Sequence, residues 1–296
     1  MRLLNASGCL DALTAPGVAQ SLDAFVTKTV TPLPREGNAP TRIAETEAGM
    51  LNTIGLANPG IERLVDTVLP VLRTLGVPLW VSVGGFAAAE YAELCQVLDD
   101  HSSIEALELN VSCPNVDEAP ESAAEIVRNA RSATRKPLFA KLSPAVPDIA
   151  EVARAAEAAG ANGLSLVNTI RGLAIDERTL RPKLSRAAGG YSGPALKPIA
   201  LAAVHACYSA TQIPIVGMGG IVCGRDVLEF VAAGATHVAL GTVLFTDPDA
   251  PARIRGELAA ELAAHGFASA DYARGVAHDS GSTLSGHAQD MRATVR

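Results

Sequence analysis

Aromatic side chains are scarce, at 4% of the 296 residues, although apolar residues make up 48%. A core of this chain must be filled by Ala, Val, Leu and Ile, the usual filling of parallel sheets covered by helices on both faces. Basic charge is also short: 24 Lys and Arg stand against 31 Asp and Glu, a formal charge of −7. That balance argues against a nucleic-acid partner, which would want a basic face. Cysteine appears only at 9, 95, 113, 207 and 223, an odd count with no C-x-x-C pair. This excludes a disulfide framework and a tetrahedral metal site, so no metal is expected and the thiols read as reduced. No apolar run reaches membrane-spanning length, and MRLLNASGCLDA has too short an apolar core for a secretory signal. A cytoplasmic protein is expected.

Short β-branched runs are present from end to end, alternating with Ala/Leu/Glu-rich stretches of helical length. Strands are expected at 3–6, 24–30, 78–83, 106–111, 138–142, 163–167, 213–217 and 237–241. Helices are expected at 61–75, 87–99, 122–133, 148–159, 196–210, 226–233 and 248–265. Eight strands, each followed by a crossover, predict a (β/α)8 TIM barrel with long active-site loops after its second, fourth and sixth strands. An open doubly wound sheet would want G-x-G-x-x-G in its first βα turn, and ASGCLD is not that. The connections at 31–60 and 168–195 far exceed ordinary loop length and leave the C-terminal ends of strands, where barrel active sites sit. One barrel over 1–278 is expected, followed by a polar, aperiodic tail over 279–296.

Almost every expected strand ends in a small, glycine-rich or amide-rich cluster: Ala6-Ser7-Gly8, Lys28-Thr29, Asn110-x-Ser112-Cys113, Lys141, Asn168-Thr169, GMGG at 217–220 and Gly241-Thr242. Seven such clusters on one rim imply a polar ligand at the barrel mouth. Glycines after the last two strands let backbone N–H groups approach an anion, with a following helix dipole in support. A sugar or flavin phosphate fits there, whereas glycines alone could simply make tight turns. Lys28 and Lys141 lie in apolar contexts, AFVTKTV and PLFAKLS. Either could be a surface strand lysine, but both strand faces are buried in a parallel barrel, so each must find an anion or acceptor. Two ammonium groups at a phosphate barrel suit a redox cofactor whose reduced ring carries negative charge. In ELNVSCPNV at 108–116, Cys113 is either a buried thiol at a turn or a proton acceptor.

These pieces resemble the class 1 dihydroorotate dehydrogenases. The resemblance runs through ASG at 6–8, KT at 28–29, PREGN at 34–38, GMLNTIGLANPG at 49–60 and ELNVSCPNV at 108–116. It continues through AKLSP at 140–144, LVNT at 166–169, GGYSGPALKPIAL at 189–201, VGMGGI at 216–221 and LGT at 240–242. It implies an FMN-binding barrel that oxidises dihydroorotate to orotate in pyrimidine synthesis. FMN would touch Ser7, Lys28, Thr29, Ser82, Asn110, Lys141 and Val167, with its phosphate at Gly193, Gly219, Gly220, Gly241 and Thr242. Substrate would be held by Lys28, by Asn52, Thr53, Ile54, Gly55 and Leu56, and by Asn110, Asn115, Asn168 and Thr169. An amide side chain offers both a donor and an acceptor, which suits a ring edge of C=O and N–H groups.

Cys113 takes the role of base for the C5 proton in this resemblance, and a thiol of pKa about 8.5 is usable once its surroundings favour the thiolate. Serine there marks the membrane-linked class 2 enzymes. GGYSGPALKPIAL and MGGI look most like the NAD-using subgroup, which pairs with an FAD and [2Fe-2S] electron-transfer subunit. This chain lacks a cysteine cluster for iron–sulfur ligation. A homodimer or a heterotetramer is implied, and fumarate is the alternative acceptor. Ser82 stands where that subgroup commonly has asparagine. Relatives carry an N-terminal hairpin before ASG, so either the start is placed late or the barrel bottom is capped differently. The other functional readings are a flavin barrel acting on another dihydropyrimidine, or a non-catalytic flavoprotein.

Overall fold

The computed structural model describes residues 1–111 and 123–279. Twelve strands follow one another in the described chain: β1 Leu3–Asn5, β2 Phe25–Val26, β3 Ile43–Thr46, β4 Gly49–Asn52, β5 Leu79–Val83, β6 Ile104–Asn110, β7 Leu138–Leu142, β8 Gly163–Leu166, β9 Ile170–Gly172, β10 Gly189–Ser192, β11 Ile215–Met218 and β12 His237–Leu240. Eight of them make one sheet in the order β1-β12-β11-β8-β7-β6-β5-β2, with every pairing parallel. The expected (β/α)8 architecture is thus present.

Closure between β1 and β2 uses little ladder. One parallel bridge joins Leu4 to Ala24. Beside it the fully buried Asn5 side chain accepts from Val26 N and donates to Val26 O, both at 2.8 Å. The amide does what a neighbouring peptide group would do, satisfying two backbone groups that cannot reach water.

Strand alternation sorts the apolar residues of the barrel strands into two bodies. Leu4, Ala24, Val26, Trp80, Ala106, Phe139, Val216, Met218 and Ala239 fill the barrel interior. Trp80 and Phe139 supply its bulk, ring centroids 4.3 Å apart. The opposite strand faces, with Leu107, Leu109, Leu138, Leu164 and Val238, pack against the surrounding helices. Those helices include Ala88–Asp99, Ala123–Ala133, Ile149–Ala158, Lys197–Ala210, Gly224–Ala232 and Ala250–Ala264. Asp148 caps its helix, as Ser/Thr/Asp/Asn residues do, by accepting from Ala150 N and Glu151 N. The helix expected over 61–75 is instead divided. Ile61–Arg63 leads into a π turn over Leu64–Val68, then Leu69–Leu72 and a 3₁₀ turn over Arg73–Leu75. Pro70 lacks the N–H that a continuous helix would need there, which widens the preceding turn.

The two long connections carry structure of their own. The 31–60 segment contributes β3 and β4, the 168–195 segment β9 and β10, and all four form an antiparallel sheet ordered β3-β4-β10-β9. Its middle pair, Asn52↔Gly190, Leu51↔Tyr191 and Ser192↔Met50, stitches one connection to the other across the mouth. No helix among the described residues is long and apolar enough to cross a membrane. The tail beyond Asp279 lies outside the described residues.

Candidate active site

The C-terminal ends of the barrel strands open into a cavity of about 700 Å³. It is lined by Ser7, Lys28, Thr29, Asn52, Ile54, Leu56, Asn110, Lys141, Val167, Asn168, Thr169, Gly193, Gly219, Gly220, Gly241 and Thr242, so sixteen residues singled out in the sequence converge there. Thr53, Gly55 and Ser82 do not line it. Cys113 and Asn115 lie outside the described residues.

Lys28 reaches the cavity across a glycine. A Cβ at Gly8, whose φ is +78°, would stand 3.0 Å from Lys28 Cδ and 3.1 Å from Nζ. Lys141 rises from the interior face of β7, donates to Ser7 Oγ at 3.0 Å and lies 3.6 Å from Glu108 Oε1. Its side chain is 7% exposed and that of Glu108 2%, so the pair sits almost fully inside the protein.

The amides form a chain. Asn168 Nδ2 donates to Asn110 Oδ1 at 3.1 Å, and Asn110 Nδ2 to Thr29 Oγ1 at 3.3 Å. Thr29 Oγ1 pairs in turn with Ser82 Oγ at 3.0 Å. Ser82 is fully buried and is linked to the cavity through Thr29. Thr169 N donates to Asn168 Oδ1 at 2.8 Å, which fixes that amide plane, while Tyr91 OH donates to the main-chain carbonyl of Asn110 at 2.8 Å and holds the end of β6. Thr53 serves the wall as scaffold: Asn38 Nδ2 donates to its O and Oγ1 at 3.1 and 2.9 Å. Gly55 and Leu56 follow with φ of +72° and +57°. Gly55 is obligatory, since a Cβ there would come within 2.8 Å of the Asn38 side chain.

At the opposite end, Gly219 and Gly220 take φ of +121° and +79°, a conformation side-chain-bearing residues rarely adopt. A Cβ at Gly241 would enter open cavity space, meeting only Ala6 Cβ and Cys9 Sγ at 3.7 Å. A buttress supports this turn. Asp226 accepts from Val222 N and Cys223 N at 2.8 and 3.1 Å, and Lys197 Nζ donates to it at 2.6 Å and to Glu229 at 2.9 Å. Burial pushes the Asp226 carboxyl up, but bonds from Lys197, Val222 and Cys223 outweigh it and hold the group below the usual carboxylate range. Its partner Lys197 is raised, chiefly by the Asp226 bond.

Three parts of the site went unmarked in the sequence. Cys9 lines the cavity beside the lysines, and burial pushes its thiol up despite Lys141 and Lys28. Ser192 joins the glycine end, accepting from Thr242 Oγ1 at 2.9 Å. Glu108, inside the quoted ELNVSCPNV, drew no attention because its neighbours carry the amides and thiol; strand alternation from Asn110 would have placed it on the interior face. Cys95 and Cys207 are buried with thiols pushed up to about 12, so they are inert packing groups. Among the described residues no cluster of His, Cys, Asp and Glu could hold a metal ion.

A parallel (β/α)8 barrel with a glycine-lined end, two inward lysines and linked amides at its mouth defines an enzyme of the (β/α)8 barrel class. Residues 2–262 match the family model described as dihydroorotate dehydrogenase, and the chain belongs to that family, in its class 1B branch. It is 46% identical over 267 residues to the dihydroorotate dehydrogenase B (NAD(+)) catalytic subunit of Desulforudis audaxviator, covering 88% of this chain and 87% of that one. A putative dihydroorotate dehydrogenase A (fumarate) of Solibacter usitatus is 45% identical, covering 83% of this chain and 84% of the relative. The crystal structure of the Eimeria tenella enzyme in complex with ferulenol superposes with a TM-score of 0.79 at 23% identity, over 93% of this chain and 85% of that one. That last likeness speaks to the fold.

Proposed function

We propose that this chain oxidises (S)-dihydroorotate to orotate, in de novo pyrimidine (UMP) synthesis, with FMN bound at the barrel mouth and NAD as final acceptor through a partner subunit. The observation that carries the reading is one continuous cavity joining the glycine cradle to Lys28, Lys141, Asn110 and Asn168, in a member of this family. The residues present fit FMN. A phosphate needs close backbone approach, which Gly193, Gly219, Gly220, Gly241 and Thr242 offer, and the open space a Cβ at Gly241 would fill is such a cradle. When bound, FMN supplies the two-electron acceptor for hydride.

The chain's own residues supply the rest. Lys28, laid over Gly8, and the turn from Asn52 to Leu56 hold the substrate carboxylate. Asn110 and Asn168 meet the ring edge with amide planes already set by Thr29, by the bond between the two amides and by Thr169, which limits the ordering cost of binding. Lys141 stands at the flavin side and Thr29 is oriented by Ser82. Cys113 takes the C5 proton as the hydride leaves C6. The stitched sheet β3-β4-β10-β9 shields this chemistry from water.

The test is a purified yellow protein whose FMN bleaches anaerobically on adding dihydroorotate; equal bleaching by dihydrouracil would sink the substrate assignment. Fumarate is the second acceptor reading, favoured by the relative from Solibacter usitatus. Assays with NAD and fumarate, with and without an FAD/[2Fe-2S] subunit, separate the two.

A further inference from the structure

A barrel interior is an expensive place for a carboxylate, because burying charge costs far more than burying an apolar group of the same size. Yet β6 points Glu108 inward, directly above Ala106 in the interior cluster. The registers Ser82↔Glu108 and Lys141↔Ser165 place the surrounding inward positions on polar side chains. Glu108 Oε1, Trp80 Nε1 and Ser165 Oγ, all fully buried, have no hydrogen-bond partner among the described residues. What Oε1 does have is the Lys141 ammonium at 3.6 Å, while Ser7 holds the same ammonium from the cavity side at 3.0 Å. Lys141 is therefore gripped between an interior carboxylate and a cavity hydroxyl. The charge also reaches the cavity itself: the Cys9 thiol there feels Lys141, Lys28 and Glu108 together.

Resting on the FMN reading above, we propose that Glu108 is a positioning residue that anchors Lys141 beneath the flavin and offsets its charge, thereby setting the reduction potential of the bound FMN. Ammonium groups beside the ring favour its negatively charged reduced form. One buried carboxylate lowers that preference, so electrons taken from substrate remain easy to pass on. Loss of the carboxylate charge must then make the bound flavin a stronger oxidant.

The experiment uses the full chain with bound FMN and no substrate, titrated anaerobically against a reference dye. Glu108→Gln keeps the shape and removes the charge. It is expected to retain FMN and to raise the equilibrium constant for two-electron reduction about tenfold, a shift of about 30 mV upward. Glu108→Asp, which restores the charge, is expected to return toward the wild-type value. An unchanged or lowered potential in Glu108→Gln overturns the proposal. If that variant purifies without FMN, it is titrated after reconstitution with excess FMN, and a potential at or below the wild-type value overturns the proposal. A wild-type chain that takes up no FMN would overturn the functional reading itself, whereas the other outcomes strike this inference alone.

Discussion

Asn5 is an example of a residue whose importance depends on three dimensions. In sequence it is one more amide before a glycine turn; in the structure its side chain is hydrogen-bonded to both backbone groups of Val26. Asn5→Ala strands a buried N–H and a buried C=O, each costing about 1–3 kcal/mol. A loss of about 2–4 kcal/mol is expected in urea unfolding, with the slope unchanged. Lys28 and Lys141 were legible because a parallel barrel has no wet strand face, so an inward lysine must have a purpose. Ser82 was singled out only through the resemblance, as a flavin contact, whereas its hydroxyl pairs with Thr29 and does not line the cavity. For Cys113 the resemblance alone carries the role. Cys113→Ala is expected to keep FMN and slow its reduction by dihydroorotate at least about 10²-fold in stopped flow, the lower range for a lost general base.

Elements with strong periodicity announced themselves, and weak ones did not. The barrel strands fall within a few residues of expectation because Val/Ile/Leu runs bounded by Gly, Pro and Asn leave little choice. IAET, GMLN, IRG and GGYS are too short and too mixed to show a period, and each is a strand only because the facing connection supplies its partner. The division at Pro70 was readable in principle, since one proline inside an apolar helical pattern is a known breaker. Gly49 tests the stitched sheet. A Cβ there would lie 2.2 Å from Ser192 O, so Gly49→Ala must pry β4 from β10. The KM for dihydroorotate is expected to rise about tenfold, ~1.4 kcal/mol of binding, in steady-state assays. The Asp226 buttress has a pH signature. Its folded carboxyl lies below the usual range, so its contribution to stability is complete above the unfolded pKa of about 4 and is lost as pH falls through the folded value. The melting-temperature gap between wild type and Asp226→Asn is expected to be widest near neutrality and to shrink in acid.

At the scale of the molecule, the alternation of strand and helix was enough to read a (β/α)8 barrel, and seven polar clusters were enough to locate its mouth. The proposed route of electrons beyond a bound flavin was not readable from individual side chains, because a route through a partner would belong to a surface. The chain alone is expected to be bleached by dihydroorotate yet to pass electrons to NAD only when the electron-transfer subunit is added, followed by NADH absorbance. The seam described at β1 and β2 has a further consequence, for synthesis. Among the described residues β1 is laddered to β12 alone, Leu3 beside Val238, and its link to β2 is one bridge and one amide. A ribosome must therefore deliver nearly the whole sheet before its first strand gains a full neighbour. Until His237–Leu240 emerges, the nascent chain carries open strand edges at both ends of a growing sheet, the condition under which such chains are most prone to pair with one another.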